Sequence, residues 1–495
     1  MTSIFADRRL RASYGWAAGG VFASQGLLWL VSLWVARHLE ASDYGLLAMA
    51  TIFTSFCVYF QDAGLGSAII QKRELDRRDA VTAFTFTVVV GVTVTAVLWL
   101  IAPLVAQLYH EPRVTAVLRA LALTLVLVAL RAVPFALLTK QLAFASRTKA
   151  EVVSAFVGSA AAVALAWNGC GVWSLVGGSL VTQTLLTGLV YVYSAWRPAL
   201  AWHPTVLRAL LRFGVPATAA GFLWQIYIQS DQFLIGALLG PQALGLYVMA
   251  WTLAGTTQER IVAVLNRVSY SAFSSMQSDR RAVAAHWVDL NELIAWTTFP
   301  LLVGLALVAD TFVAAVLTDK WAGIVPVLRI LCLLALMRNF GTLTPHLIIA
   351  LGHPGKNLLF DAINTVALPA ILAVGALTGG VVGVAIAWVV AYPLLFVWRF
   401  RLALRLTAST IGAHLHRLRA PGLATAAMAV VVWFIGHLGG VAPMARLICQ
   451  VGGGGAVYAL CVLIWLQKTG RLSMFCSAAT EGAPAADTRM VWRRS

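Results

Sequence analysis

Arginines stand at positions 131, 260, 329 and 338, and carboxylates at 231, 259, 289, 292, 310 and 361, inside stretches that are otherwise apolar. Placing such a group in hydrocarbon costs at least about 2.5–3.5 kcal/mol on insertion scales, which makes each one a functional candidate. A guanidinium stays protonated and grips anionic oxygens through two parallel N–H bonds. Arg338 lies nearest the middle of its stretch, so its expected role is to hold an anionic ligand. Two readings stand for Arg131 and Arg260: the same role, or snorkelling to an interface about two turns away. Arg329 is expected at the opposite interface. Asp231 either binds a cation or proton, or pairs with an arginine of a neighbouring helix. Gln25, Gln183, Gln225 and Gln229 add amides, either for a polar ligand or for helix–helix hydrogen bonds of about 0.6 kcal/mol each.

The elements that carry these groups must be membrane helices. The 495 residues are 60% hydrophobic and 11% charged, with a mean hydropathy of +0.84. A soluble domain is roughly 45–50% apolar and about 25% charged. This chain therefore has too little polar surface to face water, and lipid is its expected solvent. The net charge of +17 comes from basic residues scattered between apolar runs, with no basic domain. It fits loops held at the cytoplasmic face and against anionic lipid, and no nucleic-acid partner is expected. Cys57, Cys170, Cys332, Cys449, Cys461 and Cys476 make no CxxC or His-paired spacing, so neither a metal site nor a disulfide framework is expected.

A hydrocarbon core needs about 20 mainly apolar residues per helix. Fourteen runs qualify: 13–36, 44–69, 80–108, 114–138, 148–167, 171–193, 210–238, 242–268, 286–317, 325–350, 357–377, 381–403, 420–438 and 444–466. The first is too long for the apolar region of a signal peptide and is taken as a span. Starting with the N-terminus inside and alternating, most of the 36 basic residues fall in inner loops, as in the cluster Lys72, Arg73, Arg77 and Arg78. The outer turns keep only Arg37, Arg113, Lys320 and Arg446. This asymmetry supports fourteen spans with both termini cytoplasmic. After about Lys468 the chain turns small and polar, and disorder is expected there.

An internal repeat divides the spans. At an offset of 200 residues Leu39 coincides with Leu239, Gly45 with Gly245, Leu46 with Leu246, Met49 with Met249 and Ala50 with Ala250. Phe22/Phe222 and Gln25/Gln225 coincide as well, so the two amides are expected to face one another. Both copies end a span, turn briefly and re-enter with Gly-Leu. Six spans separate them, so the units have the same orientation. The expected fold is all-α: an N-terminal lobe at 1–193, a second lobe at 194–405, a central cavity between them, an added helix pair at 406–467, and a tail at 468–495.

Three stretches resemble a known family. Ala36-Arg37-His38-Leu39 is followed by Asp43-Tyr44-Gly45; the second span ends in Asp62-Ala63-Gly64-Leu65-Gly66-Ser67-Ala68-Ile69-Ile70-Gln71. The seventh carries Asp231, Ile235-Gly236, Leu239-Gly240 and then Leu244-Gly245-Leu246-Tyr247. Their order and spacing over roughly residues 10–405 resemble the Wzx-type polysaccharide flippases of the multidrug/oligosaccharidyl-lipid/polysaccharide exporter superfamily, most of all the branch named after the colanic acid flippase. Membership implies translocation of an undecaprenyl-pyrophosphate-linked oligosaccharide across the cell inner membrane by alternating access. O-antigen, capsule or exopolysaccharide synthesis would follow, with a polysaccharide polymerase and chain-length regulator as further partners.

Such a lumen needs positive charge for phosphate and amide or aromatic groups for sugar, the latter offered by Trp224 and Trp251. No cofactor is expected beyond coupling to H+ or Na+, for which Asp231 is the candidate, and no GxxxxGK[ST] loop is present for ATP. A drug/cation antiporter of the same superfamily is the alternative transporter. A membrane polymerase or ligase is the alternative enzyme, disfavoured because the outer turns are short and hold no paired carboxylates.

Overall fold

The structure is a computed structural model that describes residues 28–72 and 75–469, with several side chains of the long eighth helix, 256–268 among them, outside the description. The described elements are all helical. They run α1 (28–38), α2 (Ala41–Asp62), α3 (Leu65–Gln71), α4 (Arg77–Leu108), α5 (Arg113–Lys140), α6 (Phe144–Trp167) and α7 (Val172–Tyr193). They continue with α8 (Pro204–Ser275), α9 (Arg280–Phe312), α10 (Ile324–Gly341), α11 (Thr344–Ala350), α12 (Pro354–Thr407), α13 (Ile411–Gly436) and α14 (Pro443–Lys468).

Local chemistry sets the helix ends. Glu40 and Asp76 open α2 and α4 through reciprocal capping boxes with Asp43 and Asp79, which satisfy amide donors that the first turn leaves over. Gly240, at φ +83°, interrupts α8, and Gly379–Gly380 interrupt α12. Both helices fold back there. The Tyr247 hydroxyl lies 2.7 Å from the Asp231 carboxylate, sixteen positions away, where a straight helix would separate them by about 24 Å. In α12 the backbones close so tightly that a Cβ on Gly383 would stand 2.1 Å from the Gly375 carbonyl oxygen.

Eleven helices among the described residues are long and apolar enough to cross a bilayer. That is fewer than the fourteen expected. The hairpin α12 enters this figure once although folded in two, α8 likewise, and most of the first expected span lies outside the described residues. Leu100, Val192, Val366 and Leu423 are exposed on outward faces, as a lipid-facing surface requires. The chain is a multi-pass membrane protein.

Packing sorts the helices into two groups. In the first, α2 lies on α4 and α5, α4 on α5, α5 on α7, and α7 on α6. In the second, α8 lies on α10 and α12, and α9 on α10; α13 leans on α9, with α14 beside both. The groups meet mainly where α2 runs along α8. At one end this contact is backbone on backbone and reciprocal. A Cβ on Gly45 would fall 1.8 Å from the Pro241 carbonyl oxygen, and one on Gly245 would fall 1.7 Å from the Ala41 carbonyl oxygen. Positions 41/241 and 45/245 are partners in the 200-residue repeat, so the contact has the form of a local twofold. At the other end Gly64, at φ +71°, meets Gly214, where a Cβ would stand 2.4 Å from the Gly214 carbonyl oxygen.

Gly245→Val therefore forces the two groups apart. Lower abundance and a lower melting temperature in detergent are expected for it, whereas Gly452→Ala, with open space around its Cβ position, leaves both within normal range. Equal behaviour of the two variants would refute the close-contact role.

Candidate functional site

Asp231 lies on the first arm of α8, nine residues before the Gly240 break, and Tyr247 lies seven residues after it. The hairpin thus brings both to one level. Asp231 is 1% exposed. Its Oδ2 accepts from the Tyr247 hydroxyl at 2.7 Å and from the Trp388 indole N–H at 3.2 Å, and its Oδ1 accepts from the Gln232 backbone N–H at 2.7 Å. Trp388 comes from the second arm of α12. Two glycine-broken hairpins therefore supply a carboxylate and its side-chain donors, all of them neutral groups. No cation pairs with Asp231 in the described structure.

Arg338 stands nearby, on the other side of Trp251, and forms no ion pair with Asp231. It lies in the last turn of α10, where Gly341 lets the chain approach α12: a Cβ there would fall 2.0 Å from the Tyr392 hydroxyl oxygen. The Arg338 guanidinium sits 5.3 Å from the ring centre of Trp251, a cation–π contact of about 0.5–2 kcal/mol. Trp251 stacks on Tyr247 at 6.1 Å and touches Trp388 at 6.2 Å; Trp388 meets Tyr227 edge-on at 6.1 Å. An aromatic wall thus separates a buried carboxyl group from a half-buried cation that has no acidic partner among the described residues.

The other candidates fall elsewhere. Gln225 and Gln229 both donate to the Ser55 hydroxyl, at 3.0 and 2.6 Å. They form a polar stitch in the α2–α8 seam, flanked by Phe222 edge-on against Phe56 and Phe60. Gln25, expected opposite Gln225, lies outside the described residues, as does the side chain of Arg260. Arg131 donates to the Gln183 carbonyl oxygen between α5 and α7, inside the first group and apart from Arg338. Arg329 is held by Asp310, Arg399 by Asp361, and Arg417 by Asp289 and Glu292; these four carboxylates serve pairs between helices or, for Asp361, between the two arms of α12. Trp224 is half exposed beside Tyr227.

Ser55, Trp388 and Tyr392 were not singled out by sequence. Tyr247 had a signal, since a break at Gly240 places position 247 opposite 231. Trp388 had none: nothing in its own neighbourhood says that α12 packs on α8.

Residues 34–326 match the family described as polysaccharide biosynthesis protein. The chain is 24% identical over 353 residues to the lipopolysaccharide biosynthesis protein WzxC of Escherichia coli K12, covering 71% of this chain and 72% of that one. It is 23% identical over 491 residues to the succinoglycan biosynthesis transport protein ExoT of Rhizobium meliloti, covering 98% and 99%. Among solved structures it resembles the lipid II flippase MurJ in an inward closed conformation, with a TM-score of 0.70 at 12% identity over 90% of this chain and 98% of that one.

Tyr247→Phe removes one donor to the Asp231 carboxylate and leaves its charge undersatisfied. A loss of about 1–3 kcal/mol of stability is expected, read as a lower melting temperature in detergent, with Asp231→Asn restoring part of it in the double variant. Stability unchanged in Tyr247→Phe would contradict the assigned hydrogen bond.

Proposed function

This chain belongs to the polysaccharide biosynthesis protein family, and on that premise we propose that it is a flippase for oligosaccharide repeat units linked to undecaprenyl pyrophosphate. The proposal rests on Arg338, a half-buried guanidinium with no acidic partner among the described residues, set against the aromatic wall of Trp251, Trp388 and Tyr247. A permanent cation held inside hydrocarbon suits a diphosphate. Exposed Trp224 and the amides of Gln225 and Gln229 suit sugars once the α2–α8 seam parts. The transport named for one relative and the fold shared with a lipid II flippase support the same reading.

The cycle follows from the two-group architecture. The groups rock about the α2–α8 contact, whose glycine ends meet backbone on backbone and separate without breaking side-chain interlocks. The headgroup passes between the groups while the polyprenyl tail stays in lipid. Asp231 takes up H+ or Na+, and its charge state biases one arrangement of the two hairpins; no other cofactor is needed. The protein acts in the cell inner membrane with both termini cytoplasmic, upstream of a polysaccharide polymerase and a chain-length regulator. The polymer is an O-antigen, capsule or exopolysaccharide.

One observation favours a second reading, the drug/cation antiporter: Asp231 packed among Tyr247 and Trp388, with Trp251 beside them, is an acidic–aromatic cluster of the chemistry that a cationic drug would seek.

Deletion of the gene is expected to leave lipid-linked repeat units in the inner leaflet and abolish the polymer. Arg338→Ala in complementation lowers transport roughly ten- to a hundredfold, as loss of a charged hydrogen bond of about 1.5–3 kcal/mol implies, with protein abundance intact. Normal polymer in a deletion strain without a second copy would refute the function. Unchanged polymer with altered resistance to cationic drugs would establish the antiporter instead.

A further inference from the structure

The segment joining the two helix groups carries a feature that the transport cycle does not use. Residues 194–203 run without helix along α4, where the Ala201 N–H donates to the Thr85 hydroxyl at 3.1 Å and Trp202 lies 6.5 Å from Phe86. At Pro204 the chain enters α8, whose first turns are amphipathic. Leu207 and Leu210 are buried, and Val206, Leu210 and Leu211 join an apolar cluster with Leu65, Ile69 and Phe84 at the α3–α4 end of the first group. The opposite face shows Arg208 and Arg212, both exposed. They are one turn apart, which brings their Cβ atoms to about 5–6 Å.

These two arginines form no ion pair within the described residues. Together with Trp202, Pro204, Leu207 and Leu211 they line an open groove of about 500 Å³. Leu200, 75% exposed, and Trp202, 49% exposed, continue the apolar side of that groove outward. Tryptophan is enriched at the headgroup level of a bilayer. Two adjacent unpaired guanidiniums at that level match phosphate oxygens. The apolar wall argues for a phosphate that arrives attached to an acyl chain, not for a free ion.

We propose that Trp202, Arg208 and Arg212 form a binding site for the phosphate headgroup of an anionic phospholipid. The lipid's glycerol and upper acyl chain lie along Leu200, Trp202 and Leu207. The site shares no lining residue with the surroundings of Arg338, and its role is to hold the inter-group segment to one leaflet. It stands independently of the flippase assignment.

The test is native mass spectrometry of the purified full chain titrated with phosphatidylglycerol or phosphatidylcholine. Wild type is expected to retain phosphatidylglycerol preferentially. Arg208→Gln/Arg212→Gln lowers that retention roughly thirtyfold, the loss expected from two basic residues at a membrane surface. Trp202→Ala weakens it with the charge unchanged. The pair Arg401→Gln/Arg419→Gln removes the same charge from other exposed positions and leaves retention at the wild-type level. Equal loss in the two double variants, or no loss in the first, overturns the site. Displacement of the lipid by millimolar inorganic phosphate overturns its assignment to a lipid headgroup.

Discussion

The approach of α2 to α8 through glycine is the contact on which the rest of this architecture rests. Gly45 and Gly245 remove the side chains that would otherwise hold the two turn regions apart, and Gly64 and Gly214 do the same at the other end. Small residues let helices come together where lipid offers no hydrophobic drive for association. Between those ends the seam is stitched by amides on one serine hydroxyl and by phenylalanine edges. Each of these interactions is weak enough to be remade. A contact of that kind suits the rocking proposed for the two groups.

The same helix that forms the seam also carries the buried carboxyl group. One side of α8 shows Gln225 and Gln229 to α2, and another shows Tyr227 and Asp231 to α12. The seam to α2 and the donors around Asp231 thus share one helix. Tyr247 and Trp388 hold the carboxyl group through hydrogen bonds, and Arg338, on the far side of Trp251, has no acidic partner among the described residues. The aromatic wall keeps a carboxyl group and a cation in one membrane-embedded site.

Much of this was legible in the sequence, and the part that was not has a common cause. Helix order, the turns at Gly240 and Gly379–Gly380 and the candidacy of Asp231 and Arg338 follow from apolar length, punctuation and insertion cost. The repeat even indicated Gly45 and Gly245, whose reciprocal contact is the twofold it implies. Pairings between distant helices did not follow. Lipid is as apolar as a protein interior, so a membrane helix lacks the strong polar-against-apolar periodicity that tells a soluble helix which face to bury. Nothing local to Trp388 points it at Asp231, and nothing local to Arg131 chooses Gln183 over a ligand. Gln225 was matched with Gln25 by repeat position, whereas its described partner is Ser55, a hydroxyl that the repeat does not single out.

The proposed cycle requires the α2–α8 contact at the Gly45/Gly245 end to open during transport. Its most direct test places spin labels at Arg37→Cys and Gln242→Cys, both exposed beside that contact, in protein reconstituted into vesicles that flip a lipid-linked oligosaccharide. Electron paramagnetic resonance should then show two distance populations, the longer one growing when the oligosaccharide is added. One short, unchanged distance in vesicles that transport normally would contradict the account.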